Sequence, residues 1–150
     1  HNQIKILDYN RVLKSKLNSE KIINIINKNF KIKKIKKNAK SLKKGFLEMY
    51  MNNQWYLLKL IKKNKKLDVT ILHENIISEI KATKIDFISG INGSNRLKKL
   101  VNSKKFNIAF KLCPTNISSV MRIADKKRFM PPKSTWFHPK PLDGLICSEL

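Results

Sequence analysis

Acidic side chains are the scarcest charged groups in this chain, with 10 Asp and Glu against 33 Lys and Arg in 150 residues. A site built on two opposed carboxylates would need two of those ten to meet, which disfavours chemistry of the glycosidase type. Glycine is scarce as well, at 4, and the Gly-rich phosphate loop with its closing Lys-Ser/Thr is missing. Neither G-x-S-x-G nor H-E-x-x-H occurs, which removes the hydrolases that depend on those arrangements. The two cysteines, Cys113 and Cys147, are 34 positions apart, with no C-x-x-C partner and no histidine pair at zinc spacing. We read both as small buried hydrophobes and expect no disulfide.

Long apolar runs are also lacking. Stretches such as Ile22–Ile26 and Trp55–Ile61 fall far short of the roughly 20 residues that cross a bilayer. No charged start leads into an apolar run with a small-residue cleavage site, so the sequence points to a cytoplasmic protein without a membrane partner. The first residue is His1, and it runs at once into strand-like Ile4–Leu7. We read this as a fragment, the C-terminal portion of a longer protein. A length of 150 residues with 41% hydrophobic content suffices for one domain with its own core, and we expect residues 1–150 to form it.

What is abundant is lysine. The formal net charge is +23, a balance that ordinarily suggests a polyanionic partner, because clustered cations release the counterions of nucleic acid. Two features argue against that partner. Of the 33 basic residues only Arg11, Arg96, Arg122 and Arg128 are arginine, whereas readers of base edges favour its planar fork. Lys, Asn and Ile also share A/T-rich codons, so drift of a genome toward A and T would enrich all three whatever the protein binds. The densest run, Lys31–Lys44, holds eight lysines with no acid or aromatic between them and lacks the interleaved rings of a single-strand groove. It reads as a solvated, compositionally biased face, and a nucleic-acid-binding module stays the alternative.

The periodicity predicts an α+β fold, a mixed sheet with a central β-hairpin and several packed helices. Ile4–Leu13, with its polar Asp8-Tyr9-Asn10 step, reads as a strand leading into a turn or bend. Ser19 caps a helix carrying Ile22, Ile23, Ile25, Ile26 and Phe30. Ile32 and Ile35 sit in a short edge strand guarded by lysines. Gly45–Met51 and Trp55–Ile61 form a hairpin around Asn52-Asn53-Gln54. A helix covers His73–Ile80, a strand Lys84–Ile88, a helix capped by Ser94 runs through Val101, and Phe106–Leu112 is a strand closed by Pro114. Asn116 or a neighbour opens the next helix, and Gly144–Leu150 reads as a terminal strand.

One segment carries chemistry-bearing residues at high density: Met130–Lys140, MPPKSTWFHPK. Pro131 and Pro132 fix φ and forbid a helix, so Lys133, Ser134 and Thr135 project from an extended or turn-like backbone. A lysine beside two hydroxyls can contact an anion. The competing reading is a structural loop in which Trp136 and Phe137 fill the core and Lys133 is solvated. His138, flanked by Phe137 and Pro139, and His73 are both read without a catalytic role.

That segment resembles the closing signature of a bacterial family known as domain of unknown function 1015. Further pieces fit the family pattern in order: IKILDYNRVLK near the start, LDVTILHENI at 67–76, KIDFISGI at 84–91 and FNIAFKLCPTNISSVMRIAD at 106–125. The stretch from Ile80 to Lys84 is shorter than the pattern. The resemblance implies an N-terminal half, outside these residues, similar to the ParB and sulfiredoxin-like fold, with an Asp-Gly-His-His-Arg motif like that of free serine kinases. It further implies a whole protein that handles a phosphoryl group on a nucleotide or a small metabolite such as serine, using ATP or ADP with Mg. No cofactor is expected within this fragment, which is not expected to be a complete enzyme alone. In that picture Lys133, Arg11 and Lys140 would meet phosphate charge, Ser134 and Thr135 would donate hydrogen bonds, and Asn10 would orient the ligand. A non-catalytic, partner-binding domain is the remaining alternative.

Overall fold

Sheet alternation sorts the apolar residues into two cores. A computed structural model of the chain describes residues 5–36, 42–62 and 65–139. Its strands are β1 (Lys5–Leu7), β2 (Tyr9–Lys14), β3 (Phe30–Ile35), β4 (Phe46–Met51), β5 (Gln54–Leu60), β6 (Lys84–Ser89), β7 (Ile108–Lys111) and β8 (Trp136–His138). The helices are α1 (Ser19–Asn27), α2 (Asp68–Leu72) running into a π-helical turn at His73–Ile77, α3 (Gly93–Asn102) and α4 (Ile117–Asp125). Six strands form the main sheet in the order β3-β5-β4-β7-β2-β6, and β1 pairs with β8 apart from it.

Because successive strand residues face opposite sides, Leu13, Met49 and Phe110 join α1, α2 and the π-helical turn in one core. Val12, Tyr50 and Ala109 meet Leu97 and Val101 of α3 in the other. The sheet is therefore covered on both faces, as an α+β layer structure requires. Within α1, Ile22 and Ile26 stand one turn apart and are fully buried, each stabilising the fold by about 1.5–3 kcal/mol relative to exposure.

The central hairpin is present. Asn52 and Asn53 have φ of 50° and 59°, the two left-handed residues of a type I′ turn, and Gln54 already belongs to β5. β3 lies at the sheet edge as expected. The sheet combines this hairpin with long crossovers, and every ladder between the described strands is antiparallel. The strand–helix–strand rhythm of the second half has a definite outcome: β6 and β7 are parallel to each other, with β2 inserted antiparallel between them.

Several boundaries differ from expectation. The cap of α1 is Asn18, whose side chain accepts from Lys21 N–H at 2.9 Å, and Ser19 is already helical. The helix stops before Phe30, which opens β3. α3 begins one residue ahead of Ser94, at Gly93. Asn116, one of the predicted starts, does cap the beginning of α4, accepting from Ser119 N–H at 2.8 Å. β8 takes Trp136–His138 out of the predicted loop and lays them on β1, with Leu7 opposite Trp136. Trp136 is half-buried and Phe137 exposed, so neither fills the core. The predicted strand at Gly144–Leu150 lies outside the described residues.

Candidate functional site

β7 ends at Lys111, and the chain leaves the sheet through Leu112, Cys113 and Pro114 before Asn116 restarts it as α4. Proline at 114 ends the ladder because it has no N–H to donate. A cavity of about 320 Å³ opens at this exit, with Tyr9, Lys43, Lys44, Asp68, Ser119 and Ser134 in its wall. That volume lies at the small end of ligand cavities.

The two lysines in the wall are held by a built turn. Phe46 N–H donates to Lys43 O at 3.1 Å, closing Lys43–Phe46. Gly45, third in the turn, has φ of +83°, the value that a type II turn demands there and that glycine adopts without penalty. Anchors stand on both sides of the pair. Asp68 accepts from Gly45 N–H at 3.0 and 3.2 Å with its two oxygens, and the Cys113 thiol donates to Leu42 O at 3.1 Å. Burial pushes Asp68 above the usual carboxyl value, against the opposing influence of the Gly45 N–H and Lys44. Burial also pushes the Cys113 thiol up, with Asp68 and Asp8 adding to the effect, so it is a weak nucleophile.

Of the predicted PPKST segment only Ser134 lines this cavity, while Pro131 and Pro132 line a separate one with Arg11 and Phe87. Arg11 is buried, and burial lowers its pKa to about 10, which leaves it charged at neutral pH. Its guanidinium donates to Tyr9 O at 2.8 Å and to Lys133 O at 2.8 Å, and it stacks over the Phe87 ring at 4.4 Å. Lys133 has φ of +52°, a conformation that costs a non-glycine residue energy and needs such support. Thr115 donates its hydroxyl to Ser134 O at 3.1 Å, tying the approach to α4 onto the same segment. Asn10 accepts from Leu112 N–H at 3.0 Å, fixing the exit of β7.

The sequence-predicted residues thus converge on one region in different capacities. Ser134 lies in the cavity wall. The Lys133 ammonium stands 5.7 Å from the centre of the Tyr9 ring, which shares that wall. Thr135 follows, half-buried. Asn10 and Arg11 spend polar atoms on backbone groups beside the cavity. Lys140 and Cys147 lie outside the described residues. Sequence reasoning missed Lys43, Lys44, Asp68 and Ser119 as cavity residues. The signal open to it was the Lys-Lys-Gly turn and the Pro114-x-Asn116 helix start. Among the described residues, no three His, Cys, Asp or Glu could hold a metal together, and no helix is long and apolar enough to cross a membrane.

The fold is similar to part of several solved structures, free serine kinases among them. One such kinase variant in complex with AMP superposes with a TM-score of 0.57 at 14% identity, covering 91% of this chain and 55% of that one. A second variant, in complex with ADP, gives 0.54 at 14%, covering 91% and 54%. A conserved hypothetical protein from Pyrococcus furiosus gives 0.56 at 12%, covering 91% and 57%. The chain spans little more than half the length of these structures. No curated protein matches the sequence. The chain belongs to the family described as protein of unknown function (DUF1015), whose family model matches residues 1–83. The matched stretch ends before the MPPKSTWFHPK segment.

Proposed function

We propose that the protein carrying this chain is a nucleotide-dependent enzyme that transfers a phosphoryl group to a small metabolite bearing a hydroxyl, such as serine. This domain supplies one wall of the site. The observation that carries the reading is the cavity at the exit of β7, where Ser134 of the predicted phosphate-contacting segment faces a held lysine pair. The fold shared with part of the kinases solved in complex with AMP and ADP supports it.

In the transfer, the acceptor hydroxyl oxygen forms the new P–O bond while the bond to the nucleotide leaving group breaks, converting ATP to ADP or ADP to AMP. Such a transition state needs positioning and charge neutralisation more than covalent help. Lys133, with Ser134, Thr135 and Lys140, contacts the ligand. Arg11 and Asn10 act as positioning residues, because their bonds set the Lys133 carbonyl and the end of β7. The base that takes the hydroxyl proton belongs to the N-terminal half implied by the family resemblance, as does any Mg carried by the nucleotide.

The test is turnover by the intact protein, with ADP or ATP as donor and serine among a panel of hydroxyl acceptors. Lys133→Ala should lower kcat/KM by about 100-fold, the usual consequence of removing one group that stabilises developing charge. An intact protein that neither binds nucleotide nor consumes it with any acceptor overturns the reading.

A further inference from the structure

Two hydroxyls in the cavity wall have no partner among the described residues. Ser119 and Ser134 are each only 7% exposed, and both line the cavity. Their backbone groups are used: Ser119 N–H donates to Asn116, and Ser134 O accepts from Thr115. Neither Oγ has a hydrogen-bond partner among the described residues. Neither Oγ is among the buried atoms left unsatisfied, so both open onto the cavity, where water or a ligand takes their hydrogen bonds.

Three further features at the same cavity share one sign. Ser119 lies in the first turn of α4, a nine-residue helix whose N-terminus carries partial positive charge and N–H groups without intrahelical acceptors. Lys43 and Lys44 stand across the cavity on the turn that Asp68 and Cys113 anchor. The Lys133 ammonium, outside the lining itself, stands 5.7 Å from the centre of the Tyr9 ring, which is in the wall. Against these stands the Asp68 carboxylate, also in the wall. It is engaged by Gly45 N–H and offset by Lys44.

We infer that this cavity is an oxyanion subsite, in which the Ser119 and Ser134 hydroxyls donate to a phosphoryl group whose charge Lys43 and Lys44 balance. The assignment deepens the phosphotransfer reading, on which its biological use rests, and it makes positioning residues of Asp68 and Cys113. It also removes one pair from the compositionally biased lysine run: Lys43 and Lys44 are aimed by a turn, whereas Lys31 and Lys34 stand exposed on the edge strand β3. The phosphoryl group can belong to a nucleotide or to a phosphorylated small product, and the same hydroxyls and lysines would receive either.

The test is calorimetric titration of the intact protein, at constant ionic strength, with inorganic phosphate, AMP and O-phosphoserine separately. Wild type should bind at least one of the last two, and the stronger of them identifies the source of the phosphoryl group. Lys43→Gln with Lys44→Gln should weaken that binding by about tenfold or more, as should Ser119→Ala with Ser134→Ala. The charge-matched control, Lys31→Gln with Lys34→Gln, should leave it unchanged. Both lysine pairs are exposed, so these variants keep the fold even if the serine pair does not.

Equal weakening by the control pair overturns the inference, because general positive charge would then explain the binding. Full-strength binding in the Lys43/Lys44 variant overturns it too, as does wild type that binds none of the three probes. A protein that turns over nucleotide while these variants bind normally loses the subsite and keeps the kinase reading. One that binds phosphate here and never turns over has the reverse outcome.

Discussion

Arg11 is a buried cation held by backbone carbonyls. It is the cation that sequence reasoning placed against phosphate, and the structure gives its donors to the carbonyls of Tyr9 and Lys133. Replacing it with methionine fills similar volume and leaves those buried acceptors without their donor, which should cost about 1–3 kcal/mol in urea unfolding. An unchanged midpoint would show that the clamp carries no energy. Asp68 offers a test with a definite sign. Burial raises its pKa in the folded chain above the ordinary value of about 4, so the folded state holds the proton more tightly than the unfolded state. Its contribution to stability is therefore present in acid and lost as pH rises from about 4 through the folded pKa. Asp68→Asn has no such titration and keeps an acceptor for Gly45 N–H. The stability of wild type relative to this variant should fall across that window in parallel urea melts, and a difference that grows with pH contradicts the assignment.

At the scale of elements, the legible features were those written into neighbouring residues. The Asn52-Asn53 turn between two β-rich runs, the lysine-guarded edge strand and the apolar spacing of α1 all depend on side chains a few positions apart. Boundaries were less legible, because adjacent Asn18 and Ser19 can each cap a helix and only geometry chooses between them. Asn18→Ala should cost about 1 kcal/mol in thermal or urea unfolding, and Ser19→Ala distinctly less. The reverse order would refute the observed cap. The lysine turn was half legible: Lys-Lys-Gly marks a turn, but not what anchors it. What holds Lys43 and Lys44 comes from Asp68 and Cys113, far along the chain, and local pattern offers no view of such partners. Strand β8 was hidden for a similar reason: its partner β1 is at the other end of the described chain, and Pro131 and Pro132 ahead of it made the segment read as a loop.

At the scale of the whole molecule, the sheet covered on both faces and the cavity at the exit of β7 describe a domain that can hold a ligand. The same domain shows no self-sufficient catalytic constellation among its described residues. Its fold accounts for little more than half of the kinases it resembles, and its scarcity of acids leaves few candidates for a proton acceptor. Both facts suit a wall that binds while another part of the protein reacts. On the proposed reading the charge of +23 would serve solvation and edge protection along β3 and, separately, a small aimed set at the cavity. The most direct measurement is phosphoryl transfer by the intact protein, followed as formation of phosphorylated acceptor from ADP or ATP with serine and related hydroxyl compounds. The account predicts nucleotide-dependent product that falls about 100-fold with Lys133→Ala. Absence of both nucleotide binding and product in the folded, intact protein would contradict it.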